Sequence, residues 1–136
     1  MTGTTATTDI SALRARLAEK VMGWRRGGFF WDGKRFYVRS GGTEVMHFRR
    51  WRPDKDIRQA FQVVGAMRRR GWRLETEDDN TLIFAQFKDV GLQDPPIRGS
   101  APLPDNPTAD QLTRATALTI CLAVDQWARA QEGSDE

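Results

Sequence analysis

The sequence predicts an α+β fold, an α/β sandwich in which an antiparallel-rich sheet is flanked by helices, with about three helices and four to five strands. Three observations carry that expectation. From Trp51 to Trp72, WRPDKDIRQAFQVVGAMRRRGW joins a start signal, an apolar stripe at helical spacing and a stop signal. Two further stretches, one near each end, repeat the helical spacing. Between these helices, short strand-like runs are separated by turn residues, as in antiparallel hairpins.

Met1 to Thr8 is small and hydroxyl-rich, and residues 1–8 are expected to form a flexible tail. A first helix then begins at Asp9 or Ser11, with Ile10, Leu13, Leu17, Val21 and Trp24 as its buried stripe and Gly23 as its end. In GGFFWDGKRFYVRSGG, aromatic runs flank Asp32-Gly33, which suits a hairpin turn. Gly41-Gly42 leads to a short strand, Val45 to Phe48.

The central helix follows, with Asp54 after Pro53 as the expected cap of its first amides. Its packed face is expected to be Ile57, Ala60, Phe61, Val64 and Met67. Arg68, Arg69 and Arg70 suit the carbonyl end of the helix dipole, and Gly71 supplies a left-handed exit. Trp72, Leu74 and Thr76 alternate with charged residues up to a turn at Asp78, Asp79 and Asn80. The return strand, Leu82 to Phe87, is apolar on both faces, as a strand central in its sheet is.

Periodicity is lost over residues 88–107, where Gly91, Pro95, Pro96, Gly99, Pro102, Pro104 and Pro107 cluster, so this span is expected to be a Pro-rich loop. The last helix has two starts open to it: a capping box of Thr108 with Gln111, or Thr116. Ala117, Ile120, Cys121, Val124, Trp127 and Ala128 form its stripe in either case. Residues 9–131 then make one domain, and 132–136 a fraying tail.

Composition narrows function mainly by exclusion. One cysteine and one histidine leave no internal disulfide, no cysteine-cluster metal site and no two-histidine site. No apolar run reaches the roughly 18 residues that a membrane span needs. A cytoplasmic protein without a cofactor is expected. The net charge is +3 in 136 residues, and only Lys20, Lys34, Lys55 and Lys88 among the 21 basic residues are lysine. Arginine suits bidentate phosphate contacts, although a GC-rich genome also favours it.

No phosphate-binding glycine signature, HExxH or GxSxG is present, so no enzyme is expected. His47 lies in a strand without an orienting partner, and Cys121 lies on an apolar helix face. Two basic groups remain. In HFRRWR, strand alternation would send Arg50 and Arg52 to one side and Arg49 and Trp51 to the other, just before a helix start that can bind an anion. The alternative is a tryptophan at the core edge with arginines in water. Arg68, Arg69, Arg70 and Arg73 offer a nucleic-acid face, or simply a wet helix end and strand.

Three segments together, LAEKVMGW (17–24), the Trp51–Trp72 stretch and ATALTICLAV (115–124), resemble the phage ABA-sandwich domain family of small bacteriophage proteins. The resemblance implies a sheet flanked by helices and a phage origin, and it supplies no catalytic residue. It implies function only indirectly: some small phage proteins counter host defence by sequestering a cyclic or modified nucleotide signal. Here Arg50 and Arg52 would hold phosphate, Trp51 would stack on a base and Arg98 would close over the ligand, at a site shared between protomers. Nucleic-acid binding and protein-protein inhibition of a host defence enzyme are the alternatives.

Overall fold

The computed structural model describes residues 9–26, 36–38, 44–78, 82–89, 91 and 94–134, and these hold three α-helices and two three-stranded antiparallel sheets. Asp9 opens α1 (Ile10–Arg16), its carboxylate accepting from the Ser11 and Ala12 amides at 3.0 and 3.3 Å. The helix widens into a π-helical turn, Leu17–Val21, closed by Met22 N–H on the Leu17 carbonyl at 3.0 Å. Gly23, at φ +76°, then turns the chain out, as the sequence expects.

The first sheet is β1 (Arg25–Arg26), β2 (Phe36–Val38) and β3 (Glu44–His47), in that order, with an irregularity between Tyr37 and Val38. The expected turns at Asp32-Gly33, Gly41-Gly42 and Asp79-Asn80 lie outside the described residues. The strand expected to reach Phe48 stops at His47. There the His47 side chain accepts from the Arg49 amide at 3.0 Å and starts a 3-10 turn, Phe48–Arg50. This turn replaces the strand alternation expected through Arg52.

In α2 (Ile57–Arg69) the cap is Asp56, which accepts from the Arg58 and Gln59 amides, and not Asp54. Asp54 is turned inward, 5% exposed, because Arg14 holds it. The packed face is also rotated from the expected one. Ala60, Val63, Val64, Ala66 and Met67 are buried, whereas Phe61 is 53% exposed. Contact with the last helix on one side and with the strand after Gly71 on another favours the Val63–Ala66 side of the helix and leaves Phe61 outside. Gly71, at φ +94°, makes the predicted exit.

The second sheet is β4 (Trp72–Asp78), β5 (Leu82–Asp89) and β6 (Ile97–Pro102), with β5 central as its two-faced pattern requires. β6 corrects the expected loop over residues 88–107. Of its inward positions, Ile97, Gly99 and Ala101, the last two are too small to announce a strand, and Pro102 lies at its end. Close approach explains Gly99: a Cβ there would sit 2.5 Å from the Thr119 carbonyl oxygen and 2.7 Å from the Ala123 nitrogen. The outer edge of β6 is partly covered by Gln126, whose side chain accepts from Arg98 N–H and donates to the Arg98 carbonyl.

The capping box settles the longer start for α3 (Ala109–Ser134), with Gln111 N–H on Thr108 Oγ1 at 3.1 Å and Thr108 N–H on Gln111 Oε1 at 2.9 Å. Its helical span extends to Ser134, past the expected end at residue 131. The expected stripe is buried, apart from a half-exposed Trp127. Burial raises the Cys121 thiol well above its usual pKa, and the Asp54 and Asp125 carboxylates add to the effect. No helix among the described residues is long and apolar enough to cross a membrane.

Candidate anion-binding cleft

The segment between β3 and α2 is anchored from inside. Trp51, with 0% exposure, donates its indole N–H to the Arg14 carbonyl at 2.9 Å and packs edge-on against Trp24, with centroids 4.8 Å apart. Trp24 in turn meets Tyr37, which stacks on Phe48 at 4.3 Å. Pro53 is fully buried, and Asp54 is clamped by Arg14. With Trp51, Pro53 and Asp54 facing in, Arg50, Arg52, Lys55 and Asp56 face out.

Gln59 then ties the segment to the first turn of α2. Its Nε2 donates to the Arg50 carbonyl at 2.7 Å, and its Oε1 accepts from the Arg52 amide at 2.6 Å. The Lys55 and Asp56 amides both bond the Arg52 carbonyl, at 3.0 and 2.8 Å, which closes a tight turn. Both cationic positions therefore have a fixed backbone.

These residues line one cleft of about 720 Å³ together with Asp110, Thr113 and Arg114 from the start of α3. That size lies within the range of small-ligand sites. Its two carboxylates are already engaged, Asp56 with the α2 amides and Asp110 with Arg114 at 3.2 Å. Arg50 and Lys55 form no ion pair among the described residues. The Arg52 guanidinium donates to the Arg49 carbonyl at 2.9 Å, which fixes its direction and keeps its charge. The result is a cationic concavity beside a helix N-terminus, suited to an anion.

The expected site is thus only partly brought together. Arg50 and Arg52 share the cleft, but Trp51 is sealed in the core and cannot stack on a base. Arg98 stands elsewhere, on β6, where its Nε donates to Gln86 at 2.6 Å and its side chain lines a separate cavity with Gln126 and Arg129. Lys55 and Arg114 were missed. Lys55 carried a signal, a third cation within six residues of Arg50, whereas Arg114 joins only through the packing of two helix starts distant in sequence.

The second basic group is dispersed. Arg70 folds back over the Trp127 ring, 5.2 Å from its centroid, and donates to the Ala66 carbonyl at 3.1 Å. Burial, with Arg69 nearby, lowers its pKa. Arg68 and Arg69 remain exposed at the end of α2, and Arg73 is exposed on β4 opposite Lys88. Among the described residues no group of three or more histidines, cysteines or carboxylates is placed to hold a metal ion.

The chain matches no protein family, no curated protein and no solved structure.

Proposed function

We propose that the chain binds a small phosphate-bearing anion in the Arg50–Arg52–Lys55–Arg114 cleft and holds it without turnover. The observation that supports this reading is a concavity with four cations, three of them on a pinned segment, whose two carboxylates are already engaged, Asp56 by the α2 amides and Asp110 by Arg114. With a phage origin, the ligand class is a cyclic or modified nucleotide of host immune signalling, and the protein is a counter-defence factor that sequesters it in the host cytoplasm. Recognition rests on charge and hydrogen bonding, because Trp51 is not available for stacking. Nucleic-acid binding through Arg68 to Arg73 has less support, since Arg70 is committed to Trp127.

Thermal-shift titration tests the proposal. Cyclic di- and trinucleotides, ADP-ribose-type anions and inorganic polyphosphate are compared with short DNA. Ligand at a hundred times its dissociation constant adds about 2.7 kcal/mol to the folded state. A rise in Tm with a small nucleotide, lost in Arg50→Ala plus Arg52→Ala, is the expected result. Equal shifts in the wild type and that variant would remove the cleft from the reading.

A further inference from the structure

The solvent side of α2 combines features that its own fold does not call for. At 3.6 residues per turn, Arg58, Phe61, Gln62, Gly65, Arg68 and Arg69 fall within an arc of about 120° centred on Gly65. All are exposed except the half-buried Gly65, and Phe61 is the one large exposed hydrophobic residue among those described. Beside this stripe lies a groove of about 830 Å³. Met22, Trp24, Val45 and Met46 line it opposite Gln62, Gly65 and Arg69 of the helix.

Gly65 is costly where it stands, because a mid-helix glycine loses about 1 kcal/mol relative to alanine. Nothing among the described residues requires it. An added Cβ would meet only the tip of the Arg69 guanidinium, at an ordinary 3.8 Å. The contrast is with Gly99, where the backbone of α3 leaves no room. A bare patch of helix backbone at the middle of an exposed stripe permits close approach from outside. Phe61, one turn before it, provides an aromatic anchor for whatever approaches.

Charge selects the occupant. From Ile57 to Arg69 the helix carries three arginines and no carboxylate. A second copy docked about a two-fold axis would set these arginines against one another. A nucleic acid would meet the arginines but leave Phe61 and the methionine-lined groove without an apolar partner. An amphipathic segment with apolar anchors between carboxylates satisfies both, and methionines adapt to varied side chains.

We infer that the outer face of α2, with the groove beside it, is a docking surface for a protein partner presenting an acidic amphipathic helix. This surface shares no lining residue with the anion-binding cleft, so either can fail while the other stands.

The probes are a helical peptide with leucines at i, i+3, i+4 and i+7 and glutamates between them, the same peptide with lysines for glutamates, and a short DNA duplex. Each is titrated into the isotope-labelled full chain while amide resonances are followed. The glutamate peptide should move Gly65, Arg69, Met46 and the Trp24 indole, and the lysine peptide should not. Phe61→Ala and Arg69→Glu should each weaken that binding about tenfold or more. Gly65→Leu should block it without lowering Tm, since leucine favours the helix. A silent face with the glutamate peptide, tighter DNA binding on the same resonances, or self-association abolished by Phe61→Ala would each overturn the inference.

Discussion

Arg14 grips Asp54 through two parallel hydrogen bonds, Nε to Oδ1 at 2.7 Å and Nη2 to Oδ2 at 3.0 Å, and so ties α1 to the turn between Arg50 and Asp56. The Arg14 carbonyl also receives the Trp51 indole N–H, so one residue anchors two of the three inward positions of that turn. The cleft's cations are held outward because their neighbours are held inward. A matching clamp, Arg16 on Asp125 at 2.7 and 3.1 Å, fixes α1 to α3, where Arg129 adds a second partner at 2.9 Å.

Removing one side of the first clamp should cost more than its surface position suggests. Asp54 is almost wholly buried, so Arg14→Met leaves a carboxylate without its counter-charge, a loss of about 3 kcal/mol. Urea denaturation measures it, and a cost below about 0.5 kcal/mol would show the pair to be an ordinary surface bridge. The bond to Asp54 raises the Arg14 pKa despite the opposing effect of burial. Its stabilising contribution is therefore fully present below the unfolded arginine value and is lost as pH rises from there through the folded one. Stability from this guanidinium should be flat through neutral and mildly alkaline pH.

Gly99→Ala should destabilise the fold by about 1–3 kcal/mol, because the new methyl meets the α3 backbone and no side chain that can swing away. The sheet or the helix must shift to admit it. A Tm equal to that of the wild type would mean that β6 lies farther from α3 than the structure places it.

The same glycine shows why part of the fold was hidden from the sequence. Strong periodicity, one capping box and two left-handed glycines made α1, α2, β4, β5 and α3 legible, and the two-faced apolar pattern placed β5 at the centre. β6 was not legible, because a strand packed against a helix backbone needs glycine and alanine, residues that carry no alternation signal. Phe61 misled for the opposite reason: its spacing fits the apolar stripe, but only the positions of α3 and β4 decide which side of α2 is covered. At the site, Arg50 and Arg52 were visible as a cationic run. The inward Trp51 matches the alternative of a tryptophan in the core with arginines in water, but its anchor, the Arg14 carbonyl 37 residues earlier, is a contact no local pattern reports.

Cys121 should resist alkylation. Its thiol is fully buried on α3 and its pKa is pushed well above the usual value, so the reactive thiolate is both scarce and inaccessible in the folded chain. Iodoacetamide at neutral or mildly alkaline pH should modify it only as fast as the protein unfolds, and completely in denaturant. Rapid stoichiometric labelling of the native protein would contradict this packing.

Charge removal around the cleft should separate the residues that share it from the one that does not. A charge-assisted hydrogen bond to an anion is worth about 1.5–3 kcal/mol, so Arg50→Ala or Arg52→Ala should each weaken binding of a phosphate-bearing ligand roughly tenfold to a hundredfold. Arg114→Ala should cost less, because Asp110 already engages that guanidinium and leaves less of it for the ligand. Arg98→Ala should leave affinity unchanged, since its guanidinium serves Gln86 on the other sheet. Isothermal titration at two salt concentrations checks all four, and affinity should fall as salt rises. A loss of binding in Arg98→Ala with affinity unchanged in Arg50→Ala would place the ligand on β6 instead, against Gln126 and Arg129.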